Sequence, residues 1–220
     1  SGLFLVPKVY SMPRTRQYVN GVRRGTLMED AQRPDGDFVR EHFPNDSDGF
    51  LYYLNSWYEF APFTSGITAR FSRQSWANLV PYTTTGGAKK AARYRWNFQL
   101  RRAPNLGMDL FANLFSLVDA AGSYGTPNYV ANMETMADME NWMRVFAGNH
   151  AAANQDCFGC LTGQNLYFYL GTLGTKFSLL MWDFNQVFDF GGAFGPIEPG
   201  THLFTFNSED PNTSNILSCP

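Results

Sequence analysis

The stretch NQDCFGCLTGQNLYFYLGTLGTKFSLLMWDFN, residues 154–185, predicts a β-hairpin with polar side chains gathered at one end. Asp156 lies in a loop that contains Gly and Cys, and Asn165 follows nine residues later at the start of an apolar strand. A second apolar strand ends just before Asp183 and Asn185. Because a strand–turn–strand unit returns the chain on itself, we expect Asp183 to lie beside Asn165 and Asp156.

Two carboxylates and two amides at one end of a hairpin suit a hard cation, because oxygen ligands are preferred by Mg²⁺ and Mn²⁺. The same set suits phosphoryl transfer, in which one Asp orients the nucleophile while an Asn and a second Asp hold the metal. Taken alone, these residues favour the simpler interpretation, a polar hairpin end with solvated acidic side chains.

The composition of the 220-residue chain indicates a folded protein, long enough for one sizeable core or for two lobes of one domain. Hydrophobic residues make up 44% and aromatic residues 16%, which argues against disorder. A formal net charge of −2 argues against a general nucleic-acid binder. No apolar run approaches the roughly 20 residues that span a bilayer, so we expect no transmembrane segment. Low charge with abundant Asn, Gly and aromatic residues favours an extracellular or surface setting.

The three cysteines do not form the pattern of a structural zinc site. Cys157 and Cys160 form one CxxC, and a second CxxC that would complete a zinc site is missing from the sequence. We expect a local disulfide that stiffens the loop, with two free thiols as the alternative. Cys219 remains to pair with another segment.

The first half of the chain is predicted to be mainly β-structure. Asn20-Gly21 supplies the positive φ values of a type I′ turn, which predicts a hairpin over residues 16–28. Asp37 is predicted to cap a short helix in the segment DFVREHF. Residues 50–60 are aromatic and rich in β-forming side chains, so they predict one strand or a pair of strands.

A basic and aromatic stretch closes this first half. Such interleaving occurs at sites for phosphate or single-stranded nucleic acid. The favoured interpretation is a half-buried strand with a solvated basic face. The residues concerned are Lys89, Lys90, Arg93, Arg95, Arg101 and Arg102 around Tyr94, Trp96 and Phe98.

The second half is predicted to be helical before the hairpin. Leucines at helical spacing predict a helix that stops at Gly122, and the pattern resumes over residues 129–136. Asp138 is a typical N-cap for a third helix, whose Met and aromatic stripe indicates core packing. His150, in the last turn of that helix, is either structural or orders the loop that carries Asp156. The order of elements predicts an α+β protein.

Several segments together resemble the CotH kinase family, the atypical kinases related to spore coat protein H. The hairpin QYVNGVRRGTLMEDAQ is similar to the family's NG-x-x-x-G-x-x-x-E segment, and FVREHF and GFLYYL follow in the expected order. YVANMETMADMENWMRVFAGNHAAANQD, GQNLYFYL and SLLMWDFNQVFDFGG continue the resemblance. It covers residues 16–192.

The resemblance implies a divergent protein-kinase-like fold with a small β-rich lobe and a helical lobe in one domain. Residues 1–103 would form the β-rich portion with its connecting segments. Residues 104–220 would form the helical lobe with the catalytic-loop-like and metal-binding hairpin.

The resemblance also implies a role for each site residue. Asp156 resembles the catalytic Asp that accepts the hydroxyl proton, and Asn165 resembles the Asn that assists metal binding. Asp183 resembles the metal-binding Asp of the family's WD-x-D motif. Asn185 replaces the second Asp of that motif, still offering an oxygen but without the negative charge. Glu29 matches the Glu of the small-lobe hairpin and is assigned to cofactor binding.

A DFG tripeptide begins at Asp189, although it does not follow the apolar strand directly. Asp183 does stand at the end of that strand, where the WD-x-D motif places its metal ligand. We therefore assign Asp183 to the metal and keep Asp189 as a second candidate.

The resemblance implies ATP and Mg²⁺ (or Mn²⁺) as cofactors, with transfer of the γ-phosphoryl group to Ser or Thr of secreted, surface or coat proteins. The lysine expected to hold ATP has no convincing match, because Lys8 lies too close to the NG hairpin. Tyr53 and Leu54 stand where relatives often carry a lysine. We therefore expect the given chain to be a trimmed or processed piece of a longer protein that lacks the first strands of the kinase-like fold. These strands are either a separate fragment or a part that this module never used.

The alternative function is a non-catalytic assembly module of an extracellular coat, fibre or large surface protein, including a pseudokinase. Such a module would self-associate or bind coat and fibre components, for example through a strand edge that a neighbouring copy completes. A third alternative is a metal-binding domain without transfer chemistry.

Overall fold

A computed structural model describes residues 9–12, 17–25, 28–60, 71–104, 110–152, 154, 156–159, 163–184 and 187. These residues form a mixed helix and sheet structure, which confirms the α+β class. The strands are β1 Val9–Met12, β2 Gln17–Val19, β3 Val22–Gly25, β4 Met28–Ala31, β5 Phe50–Leu54, β6 Trp57–Phe60, β7 Phe71–Ser75, β8 Phe98–Arg102, β9 Leu166–Leu170 and β10 Ser178–Met181. The helices are α1 Gly36–His42, α2 Ala91–Asn97, α3 Ala112–Gly122, α4 Tyr129–Met136 and α5 Met139–Ala151.

The central sheet has four antiparallel strands in the order β10-β9-β5-β8. The predicted hairpin of β9 and β10 is confirmed, and β5 lies against its β9 side, with Phe50 opposite Leu170 and Leu54 opposite Leu166. The smaller sheets pair β1 with β4, β2 with β3, and β6 with β7. Strands from both sides of residue 103 therefore share the central sheet, which places the end of β5 beside the predicted site.

The central sheet is covered on both faces, which explains why its strands are continuous apolar runs and not alternating ones. Alternate residues of a strand face opposite sides of a sheet. Leu54 and Phe168 belong to the larger core, which includes Leu114 of α3 and Trp142 of α5. The opposite face forms a smaller core with the side chains of Leu51, Tyr167, Tyr169 and Leu180 against Phe38 and Val39 of α1.

Local turn and cap signals in the sequence were mostly confirmed. Asn20 and Gly21 have φ values of 50° and 76° between β2 and β3, as expected for a type I′ turn. The Asp138 carboxylate accepts a hydrogen bond from the backbone N–H of Asn141 at 3.2 Å and caps α5. The N-cap of α1 is Asp35 and not Asp37, because Asp35 Oδ1 accepts the backbone N–H groups of Asp37 and Phe38.

The basic stretch was predicted wrongly as a strand over Tyr94–Asn97, where the chain forms α2, and β8 begins at Phe98. The burial of Tyr94 is the physical reason, because its hydroxyl donates to the Val80 carbonyl at 2.6 Å and accepts from the Tyr82 N–H at 2.8 Å. These contacts anchor the stretch to a preceding loop, so tertiary packing overrides strand propensity.

At least four of the basic side chains in this stretch, Lys89, Arg93, Arg101 and Arg102, have partners within the chain. The Lys89 ammonium lies 2.7 Å from an Asp119 carboxylate oxygen. The Arg93 guanidinium lies 4.4 Å from the centre of the Tyr82 ring. These contacts support a structural role for Lys89 and Arg93, as the sequence favoured.

Residues 50–60 form two strands, as one of the sequence interpretations held. The two strands belong to different sheets: β5 is part of the central sheet, whereas β6 pairs with β7.

The first long helix ends where the sequence predicted, because α3 ends at Gly122. None of the helices in the described part of the chain has the length and apolar character needed to cross a membrane.

Replacement of Gly49 with Ala is expected to lower the free energy of unfolding by about 1–3 kcal/mol, the usual range for overpacking. A Cβ at Gly49 would collide with the backbone carbonyl of Leu170 and lie 2.8 Å from Gly171 Cα. Denaturant unfolding monitored by circular dichroism measures the loss. Gly174→Ala is the matched control on the β9–β10 turn, because a Cβ there meets nothing within 4 Å. Equal losses in the two variants would contradict the prediction.

Candidate functional site

Asn165 is held at the start of β9 by the neighbouring strand. Its backbone N–H donates to the carbonyl of Leu54, the last residue of β5, at 3.1 Å. Its side chain is 5% exposed, so the amide is held among packed groups. The sheet thus fixes the position of Asn165 from two sides, the hairpin and β5.

Asp156 and Asn165 meet as predicted. Asn165 Nδ2 donates to the backbone carbonyl of Asp156 at 2.8 Å and to Asp156 Oδ2 at 3.0 Å. Gln164 Nε2 donates to the other carboxylate oxygen of Asp156. Ser56 Oγ donates to Gln164 Oε1 at 2.6 Å and orients that amide. Two amides therefore fix the plane of the Asp156 carboxylate.

Asp183 follows β10 and lies close enough to Asp156 for their charges to interact. Burial raises the pKa of the Asp183 carboxyl, and the negative charge of Asp156 raises this pKa further. The hairpin register pairs Met181 with Leu166, so the chain beyond β10 runs back past Asn165. Two carboxylates that repel each other across a partly buried space favour a bound cation.

The backbone at this site is held in an uncommon conformation. Asn165 and Asp183 have φ values of 60° and 57°, and Asn20 of the type I′ turn is the one other non-glycine residue with positive φ in the described residues. Asn and Asp tolerate this region better than other side chains, at a cost in conformational energy. Such outliers cluster at functional sites, where the surrounding structure holds them in place.

The loop before Asn165 is tied to the end of α5 by buried amides. Asn154 Nδ2 donates to Asn149 Oδ1 at 2.9 Å, and both side chains are fully buried. Cys157 Sγ donates to the Asn154 carbonyl at 3.3 Å, and the Phe158 N–H donates to the Gln164 carbonyl at 2.7 Å. These hydrogen bonds fix the loop that contains Asp156 relative to α5.

Cys157 is a free thiol with 1% of its surface exposed, so the expected disulfide to Cys160 is wrong and the alternative of a free thiol holds at Cys157. The sulfur is directed into a buried hydrogen bond with Asn154, and hydrogen bonds stabilise the loop in place of a cross-link. Cys160 and Cys219 lie outside the described residues.

The other residues that the sequence analysis assigned to the site are Glu29, Asn185 and Asp189. Glu29 lies in β4 opposite Ser11 of β1. Asn185 and Asp189 lie outside the described residues. Gln164 and Ser56 were missed by the sequence analysis; Gln164 had the signal of a polar residue next to Asn165, whereas Ser56 had none.

The donor set fits a metal bound together with a phosphate ligand better than a metal held by protein alone. Among the described residues, no three His, Cys, Asp or Glu side chains gather to hold a metal ion. Mg²⁺ is commonly bound through one or two carboxylates with phosphate oxygens and water completing its octahedron. The Asp183 carboxylate and the Asn165 amide oxygen are donors of the kind that such a set needs from the protein.

Comparison with known families gives a match over most of the chain. The family model described as CotH kinase protein matches residues 13–215, which include Asp156, Asn165 and Asp183. A search of curated proteins found no match. The elements that carry the site, α5, the loop after it and the β9–β10 hairpin, all lie within the matched region. The chain belongs to the CotH kinase family.

Proposed function

We propose that this chain is a kinase module that binds ATP with Mg²⁺ or Mn²⁺ at the end of the β9–β10 hairpin. The activity proposed is transfer of the γ-phosphoryl group to a Ser or Thr hydroxyl of a secreted, surface or coat protein. One observation carries the proposal: the Asp156 carboxylate is fixed by the Asn165 amide within electrostatic range of Asp183. Family membership supports kinase chemistry at this position.

Each site residue has a distinct proposed task. Asp156 orients the acceptor hydroxyl and takes its proton, because amides hold both carboxylate oxygens in place. Asp183 and Asn165 hold the metal, which neutralises charge on the transferred group when bound. Asn185 adds an oxygen ligand and Glu29 contributes to cofactor binding, as the family resemblance implies.

The fold proposed for this function is the two-lobed kinase-like arrangement, with residues 1–103 and 104–220 as its portions. Family membership supports it. In this arrangement β5 and β8 of the first portion join the hairpin of the second in one sheet. The catalytic site then lies where the two portions meet.

A specific observation favours the alternative of an assembly module. Tyr124 is 81% exposed and Val130 is 63% exposed, and the Tyr124 ring lies 5.4 Å from the ring of Tyr129, which directly precedes Val130. Exposed apolar groups of this size are common at protein–protein contacts when they adjoin one another. An assembly module would use such a surface without any need for nucleotide.

Calorimetric titration with ATP, with and without Mg²⁺ or Mn²⁺, separates the two functions. The kinase proposal expects saturable binding that requires the metal. A folded chain that binds no ATP at any metal concentration would refute it. Sedimentation of the same sample would then show larger assemblies if the chain is an assembly module.

The raised pKa of Asp183 has a measurable consequence for stability without any ligand. The folded state binds the Asp183 proton more tightly than the unfolded state, so stability falls as pH rises from the ordinary Asp pKa through the raised value. Asp183→Asn removes this pH-dependent contribution to the free energy of unfolding. We therefore expect the variant to gain stability relative to the unmodified protein at neutral pH, with the gain shrinking as the pH falls below the ordinary Asp pKa. Denaturant unfolding across pH measures the difference, and a pH-independent difference would contradict it.

A further inference from the structure

The base of the β6–β7 hairpin lies against the two residues that precede Asn165. Ser56, directly before β6, donates from its hydroxyl to Gln164 Oε1 at 2.6 Å. Ala77, two residues after β7, donates its backbone N–H to the Gly163 carbonyl at 3.0 Å. Both ends of this hairpin are therefore bonded to two consecutive residues of the loop before β9, although they are distant from that loop in the chain.

The contact at Gly163 leaves no room for a larger residue. A Cβ at Gly163 would lie 2.7 Å from the Ala77 backbone nitrogen and 2.9 Å from Trp76 Cβ. Glycine is the residue that permits such a close approach of two backbone segments. Ser56 and Ala77 are both buried, so the contact is part of the packed interior. The β6–β7 hairpin thus holds the loop through packed backbone as well as through a side-chain hydrogen bond.

Gln164 connects this contact to the carboxylate of Asp156. Its Nε2 donates to Asp156 Oδ1, while its backbone carbonyl accepts the Phe158 N–H at 2.7 Å. The terminal torsion of an Asp side chain has broad minima, so hydrogen bonds from outside decide the plane of its carboxylate. Asn165 Nδ2 bonds to Asp156 Oδ2 at 3.0 Å, and the bond from Gln164 to the other oxygen restricts the rotation that this single bond would leave.

The hydroxyl of Ser56 determines which end of the Gln164 amide faces Asp156. Because Gln164 Oε1 accepts from Ser56, the amide nitrogen is directed to the carboxylate. The reversed amide would place Oε1 against Asp156 Oδ1, and two acceptors without a hydrogen between them repel each other. Hydrogen bonds in such a network support one another, so a change at the hairpin base is transmitted to Asp156.

We propose that Gln164 is a positioning residue for phosphoryl transfer and that the base of the β6–β7 hairpin determines its orientation. This inference rests on the proposed function for the reaction in which Asp156 takes part. Displacement of the hairpin base would release the Gln164 amide and let the Asp156 carboxylate turn. Asn165 would stay in place, because its backbone N–H is bonded to the Leu54 carbonyl of β5. The step affected is therefore the transfer and not the binding of the nucleotide.

The kcat of ATP hydrolysis with Mn²⁺, compared with the affinity for ATP and Mn²⁺, tests this assignment. Water is the acceptor in this assay: its oxygen bonds to the γ-phosphorus as the bond to ADP breaks, and Asp156 takes its proton. Gln164→Met keeps the length of the side chain but cannot donate. We expect its kcat to fall about 10–100-fold, while the ATP dissociation constant changes by less than about twofold.

Two further variants separate positioning from general damage. Ser56→Ala should lower kcat about two- to tenfold, the effect of one neutral hydrogen bond. Gln99→Met is the matched control, because the Gln99 amide also forms side-chain hydrogen bonds in the central sheet and should change neither quantity. An unchanged kcat in folded Gln164→Met would overturn the assignment. A loss of ATP affinity as large as the loss of kcat would also overturn it and would make Gln164 a structural support of the metal site.

The side-chain amide of Gln164, observed by heteronuclear NMR of the whole chain, gives an arm that needs no nucleotide. Gln164→Met identifies the signal by removing it. We expect the amide proton that faces Asp156 to lie downfield, as in hydrogen bonds to a charged acceptor, and to move in both Ser56→Ala and Asp156→Ala. This result supports the inference even if the unmodified protein binds no ATP and the proposed function fails. A signal that stays in place in either variant would overturn the inference and leave the proposed function intact.

Discussion

Asp183→Asn is expected to reduce metal-dependent ATP binding at least about a hundredfold while the fold stays intact. The variant removes the one carboxylate among the proposed metal ligands and leaves the neutral amide oxygens of Asn165 and Asn185. A charged ligand lost from a Mg²⁺ or Mn²⁺ site is not replaced by a neutral amide of similar shape, because hard cations prefer charged oxygen donors. Calorimetric titration with ATP and Mn²⁺ measures the loss.

Asparagine isolates the charge better than alanine at this position. The φ of Asp183 is 57°, and Asn adopts that region more readily than Ala, so Asp183→Ala would add backbone strain to the loss of the ligand. Asp37→Asn on α1 is the control, since the Asp37 side chain is 82% exposed. Undiminished binding in Asp183→Asn would remove Asp183 from the metal site and leave Asp189 as the candidate.

Phe168→Ala is expected to lower the free energy of unfolding by about 3–5 kcal/mol, the range for a large aromatic side chain lost from a core. Phe168 has 0% of its surface exposed. Its ring centre lies 5.4 Å from those of Trp142 and Phe158, 5.8 Å from Phe98 and 5.9 Å from Phe177. The substitution would leave a cavity where β9, α5 and the loop after α5 meet.

The same cavity should affect the site, because Phe158 belongs to the loop that carries Asp156. We expect weaker ATP binding in Phe168→Ala at temperatures where the variant is still folded. Leu173→Ala, at the tip of the same hairpin and 80% exposed, should change stability by less than about 0.5 kcal/mol. A comparable loss in both variants would show that Phe168 is not central to the core.

Local chemistry explains the features that could be predicted without the fold. Positive φ at Asn20-Gly21, the cap of α5 by Asp138 and the apolar runs of β9 and β10 each depend on residues within one turn or one strand. The meeting of Asp156 with Asn165 also followed, because both residues lie in the short loop between α5 and β9, nine positions apart.

The N-cap of α1 and the basic stretch were mispredicted for two different reasons. Asp35 and Asp37 both lie at the start of the same helix, and the turn that precedes α1 places Asp35 at the unpaired N–H groups. Tyr94 belongs to a helix because its hydroxyl finds partners in a loop twelve or more residues away. Nothing in the local pattern carries that information.

The sequence by itself determined the α+β class, the hairpin and the family to which the chain belongs, since these follow from short-range periodicity, turn chemistry and motif order. Tertiary structure alone decided that β5 pairs with β9 and that Gln164 and Ser56 secure Asp156. The physical reason is that these contacts join residues distant in the chain. They depend on strand register and on packing across both faces of the sheet, which no local segment specifies.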